Sequence, residues 1–160
     1  MNAKEALKLS IDMGDFIASG YLEDLTDAEM MHRPTEKANH IKWQLGHLIT
    51  AENGMINQIS DGQMPDLPDG FAEKYTKETA TNDDEAAFDS KEELMKQYQT
   101  QRAGTLKALE SMNDADFDKE TGVEYAPTVA SMFALQGSHY LMHAGQWAVI
   151  RRQLGREPIF

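Results

Sequence analysis

Cysteine is absent from the 160 residues, which excludes disulfides, thiolate metal ligands and a cysteine nucleophile supplied by the chain itself. The absence suits a reducing compartment, and a cytoplasmic location is expected. Positive charge is also scarce, with 15 Lys and Arg against 27 Asp and Glu and a net charge of −12. Phosphate neutralisation by Lys and Arg drives nucleic-acid binding, so DNA and RNA are not expected partners. No alternating apolar–polar run of strand type occurs, and the first residues, Met1 to Leu7, lack the basic region leading into an apolar core that marks a signal peptide.

One stretch lacks charge altogether. Tyr125 to Ile150 is a 26-residue run without Asp, Glu, Lys or Arg, longer than the ~20 residues that span a bilayer. Inside it lie Gln136, Ser138, His139, His143 and Gln146, which are costly in hydrocarbon unless paired or turned into a bundle. A buried helix of a bundle is therefore expected, not a membrane span.

Apolar spacing at three and four residues predicts four long helices. The first covers residues 3–24 through Leu7, Ile11, Gly14, Ile17, Ala18, Tyr21 and Leu25. Thr26 and Glu29 form a capping-box pattern for one short turn before Pro34. The second helix runs from His40 to about Ser60, with Asn39 as its expected N-cap. Residues 62–89 are too long for an ordinary loop and read as a strap or mobile segment, pinned by Phe71, Tyr75 and Phe88, that rims any site nearby. A capping box at Ser90–Glu93 opens the third helix. The fourth runs from Pro127 to about Leu154 and ends at Gly155. The expected fold is all-α, a four-helix bundle with two long connections, forming a single domain over residues 1–160.

His139 and His143 lie one turn apart on the fourth helix, so both rings can reach one point. At 100° per residue His143 falls about 40°, Met132 and Ile150 about 20°, and Gln146 about −20° from His139, which puts the pair on the stripe expected to face the bundle axis. Two buried imidazoles need partners: either a metal ion, or backbone groups, Gln146 or water. His47 on the second helix is the candidate third ligand, because helices packed about 8–10 Å apart let rings converge. His40 is about 10.5 Å further along the axis and cannot share that metal. His32, in the proline loop, is expected at the surface, and Glu52 points about 140° away from His47.

The run Ile41-Lys42-Trp43-Gln44-Leu45-Gly46-His47-Leu48, with His139-x-x-x-His143-x-Gly145-Gln146 downstream and the ending Arg151-Arg152-Gln153-Leu154-Gly155-x-x-Pro158, resembles the DinB-like (DinB/YfiT-like) family of metalloenzymes. The likeness covers nearly the whole chain in helix order. It implies a four-helix bundle, often homodimeric, in which His47, His139 and His143 match the metal triad and Trp43 packs before the first ligand. Members of that family include S-transferases and isomerases that use low-molecular-weight thiols, but no residues here match a thiol-binding motif.

Three neutral histidines leave a divalent ion with open positions able to activate water or a small thiol. Zinc is expected first, with nickel, iron and manganese also suited to imidazole. The expected function is thus a metal-dependent enzyme of S-transferase or hydrolase class acting on a small molecule. The alternative is a non-catalytic, stress-associated helical module that holds a metal or ligand. Glu124 and Tyr125 are candidates for acid–base help only through their position just before the fourth helix.

Overall fold

The computed structural model describes residues 1–159. Four helices dominate it: α1 (Ala3–Leu22), α2 (Ile41–Ile59), α3 (Lys91–Ser111) and α4 (Val129–Gln153). No strand occurs among the described residues, and none of these helices is long and apolar enough to cross a membrane.

Local chemistry fixes most helix ends. Asn2 and Glu5 close a reciprocal capping box on α1, and Thr128 and Ser131 do the same for α4, leaving Pro127 just outside the helix. Gly155 stops α4 with φ of +76° and its amide on the Arg152 carbonyl. Thr26 and Glu29 exchange the expected pair of bonds at the Glu29–Met31 turn. Two expectations need correction. The cap of α2 is His40, not Asn39: its Nδ1 accepts from the Trp43 amide at 3.1 Å while its Nε2 faces the Asn82 carbonyl at 3.2 Å. At α3 only half of the box forms, because the Glu93 carboxylate takes Gln97 Nε2 at 2.7 Å instead of reaching back to Ser90.

The contacts between helices define their directions. On α1 and α4, Gly14 meets Gly137 and the Tyr21 carbonyl accepts from Arg151, so the two run parallel. On α2 and α3, Lys42 and the Lys91 amide share Asp27 while Glu52 meets Arg102 and Thr105, so these are parallel too. Helices α2 and α4 are antiparallel, with Gln44 against His143 and Met55 against Gln136. A parallel α2–α3 pair obliges residues 60–90 to travel back along α2, about 28 Å long. That is why this connection is so extended.

The return segment is well anchored. Phe71, Tyr75 and Phe88 are buried, ion pairs Arg33–Asp83 and Lys42–Glu85 tie the segment to residues outside it, and Lys74–Asp89 joins two points within it. Tyr75 lies over Gly46 of α2, where any Cβ would fall 2.3 Å from its ring.

Beneath it, a polar layer crosses the apolar core. Glu52 Oε1 accepts from Thr105 Oγ1 at 2.6 Å and lies 3.4 Å from Arg102 Nη1. Arg102 Nη2 donates to the Gln136 carbonyl at 3.1 Å, its guanidinium sits 4.7 Å over the Tyr140 ring, and Tyr98 donates to Asp15. Burial pushes the Glu52 carboxyl up, opposed by the Arg102 charge and the Thr105 hydroxyl.

Two stability predictions follow from particular positions. A Cβ on Gly137 would lie 2.4 Å from the Ser10 carbonyl oxygen, whereas one on exposed Gly54 meets nothing within 4 Å. Urea unfolding should show Gly137→Ala destabilised by about 1–3 kcal/mol and Gly54→Ala stabilised by about 0.5–1 kcal/mol. His40 is buried neutral, and desolvation holds its pKa down to about 4. Between the unfolded value of about 6.5 and that folded value the unfolded chain binds more protons, so stability falls as pH drops through this window. His40→Asn keeps a side-chain cap and should flatten that slope in urea titrations run from pH 7 to pH 4.

Candidate functional site

Antiparallel packing of α2 and α4 brings His47, His139 and His143 together at the edge of the bundle. One nitrogen from each ring lies within 4.8 Å of the others. The ring centroids are 5.8 Å (His47–His139), 6.1 Å (His47–His143) and 5.2 Å (His139–His143) apart, and the ring planes cross at 54–89°. Nitrogens bound at about 2.0–2.1 Å to one tetrahedral ion stand about 3.3 Å apart. Side-chain rotation covers that difference.

The expected inward stripe of α4 holds in part. Met132, Ile150 and His143 lie in the buried arc with Phe133, Tyr140 and Trp147, whereas His139 sits at its edge and Gln146 is exposed. His139 and His47 are half-buried and His143 is buried, so the cluster has a dry back and an open front. Gln146, an expected alternative partner, points to solvent.

The partner that matters is Gln44, one turn before His47. Its Nε2 donates to the Asn39 carbonyl at 2.6 Å, which orients the amide. Its Oε1 then accepts from Trp147 Nε1 at 2.9 Å and lies 2.8 Å from His143 Nδ1. An oxygen there makes His143 Nδ1 the donor and leaves Nε2 as a lone pair. Among the described residues, this is the one hydrogen bond the protein makes to the three rings. Sequence reading passed over Gln44 as a partner because a glutamine at a core position carries no sign of which group it will meet.

Trp43 packs as expected. It stacks on His47 at 5.0 Å and 6°, and its Nε1 donates to the Thr76 carbonyl at 3.0 Å and to Thr79 Oγ1 at 3.1 Å. Residues 62–89 therefore act on the site through Trp43 and do not line it. The pocket beside the cluster, about 300 Å³, is lined by His47, Ala51, Met55, Tyr125, Leu135 and His139. Its rim thus comes from the α3–α4 connection. Tyr125 reaches it, whereas Glu124 lines a separate pocket with Glu120 and Thr128. His32 is half-buried on Gln153, and His40 and Glu52 are engaged elsewhere.

Desolvation lowers the pKa of all three rings. For His143 it does so to about 4, helped by His139 and His47, and His139 also feels the His47 charge. At neutral pH the rings are uncharged, which is the form that coordinates metal.

Three imidazoles that converge from two antiparallel helices of a four-helix bundle make an arrangement compatible with metal binding. Residues 18–147 match the DinB superfamily, and the chain belongs to it. The crystal structure of a conserved protein from Enterococcus faecalis shares the fold at 15% identity and a TM-score of 0.67, covering 93% of this chain and 97% of that one. No curated protein matches the chain significantly.

Gln44→Leu strands two buried N–H donors, on His143 and Trp147. It should cost about 1–3 kcal/mol in urea unfolding and abolish the single Nδ1–H tautomer that ¹⁵N NMR of the parent is expected to show for His143. A retained tautomer would mean that Gln44 does not set it.

Proposed function

We propose that His47, His139 and His143 hold one divalent metal ion, zinc before nickel, iron or manganese. On this reading the chain is a metal-dependent enzyme of transferase or hydrolase class, acting on a small molecule with water or a low-molecular-weight thiol as the activated group. The observation that carries it is the convergence of three neutral imidazole nitrogens within 4.8 Å of one another. Three histidines leave an ion its full charge and open positions, and such an ion lowers the pKa of a bound water or thiol toward neutrality.

The remaining chemistry belongs to the chain. Gln44 presents the His143 lone pair, and Trp43 holds the His47 ring from behind. The buried back of the cluster excludes water from one side, and among the described residues that line the pocket Tyr125 is the one that bears a hydroxyl. The proposal includes a single domain, a cytoplasmic location and a homodimer. Self-association is supported by Leu9 and Met13 on α1 and Met142 and Val149 on α4, each about half exposed.

Zinc binding by equilibrium dialysis with elemental mass spectrometry tests the assignment. About one ion per chain is expected, falling to background in a His47→Ala, His139→Ala double variant. Zinc at a hundred times its Kd should also stabilise the parent by about 2.7 kcal/mol. Substoichiometric zinc that is unchanged in the double variant would refute the site.

A further inference from the structure

We infer that the ligand of this site carries an uncharged, apolar arm of a few carbons that lies in the pocket beside His47 and His139. The identity of the reacting head group rests on the metal reading; the arm is read from the pocket alone. Ala51 and Met55 follow His47 by one and two turns on α2, Leu135 precedes His139 by one turn on α4, and the Tyr125 ring completes the wall. No charged side chain is among these lining residues, although the chain carries 15 basic and 27 acidic residues. A carboxylate or ammonium placed there would lose hydration with no counter-ion in the wall. An alkyl group would gain burial against Ala51, Met55 and Leu135.

The size of the arm follows from the space. About 300 Å³ is at the lower end for small-molecule sites, and the histidine edge of that space is needed by the head group. Met55, half-buried with its Sδ 3.7 Å from Gln136 Nε2, is a flexible wall able to fit chains of different shape. The pocket accordingly favours an alkyl arm over a charged one.

Chemical-shift titration of the full-length, metal-free protein with ethanol, propanol and butanol, and with butyrate and butylammonium, tests this. Amide shifts at Ala51 and Leu135 should saturate with affinity tightening about fourfold per methylene among the alcohols, and neither charged compound should saturate them. Ala51→Asp and, separately, Leu135→Asp should remove the length dependence with the circular dichroism unchanged. Equal affinity across the alcohols, saturation by butyrate or butylammonium, or persistence of the length dependence in both folded variants would overturn the inference. Parallel zinc dialysis separates the two readings. Length-dependent binding without histidine-dependent zinc removes the metal and keeps the arm, whereas zinc binding without length dependence removes the arm and keeps the metal.

Discussion

Arg102 and Glu52 meet in the interior, where each alone would cost several kcal/mol of desolvation. They are tolerated because every helix contributes to their surroundings. Thr105 and Tyr98 come from α3, the Gln136 carbonyl and Tyr140 ring from α4, and Asp15 from α1 through Tyr98. Sliding any helix by a turn would strand a charge. The layer therefore pins the register of α2 against α4, and that register carries His47 to the level of His139 and His143. Glu52 is engaged in this layer and not at the histidine cluster.

The parallel α2–α3 pair imposes the second constraint. Returning along α2, the connection needs a place to lie, and Gly46 provides one under Tyr75. With Tyr75 seated, Thr76 and Thr79 reach Trp43 Nε1, and the indole is held flat against His47. A topological need thus becomes support for one ring of the site. Gln44 does the same for the opposite ring by taking both His143 and Trp147 on one oxygen. The cluster is rigid at its back and open at its front, the shape that a site for a small ligand requires.

Much of this was legible in the residues. Apolar periodicity located all four helices, because each buries one face and must repeat near 3.6 residues. Gly155 and the Thr26–Glu29 box marked ends through local hydrogen bonds that need no distant partner. His139 and His143 announced themselves by helical spacing, and His47 by lying on a second helix of the expected bundle and by the family resemblance; its height against the pair came from packing. Boundaries failed where two local caps competed: Asn39 gave way to His40, whose ring is held by Asn82 and Phe88 from far along the chain. A nearly uncharged helix has no strong polar face to orient it, so the phasing of α4 holds for His143 and not for His139 or Gln146. Its buried side was settled by α1 pressing on Gly137.

Composition and the spacing of side chains along each helix suffice for the helical class, the acidic balance, the absence of thiol chemistry in the chain and the pairing of His139 with His143. Packing of the helices and their connections sets how far His139 stands out from α4, that Gln44 sets the His143 tautomer, that Trp43 is locked by Thr76 and Thr79, and that Tyr125 is the loop residue at the pocket. These rest on contacts between residues some 30 to 130 positions apart. Such contacts depend on helix direction and register, which no local pattern of side chains encodes.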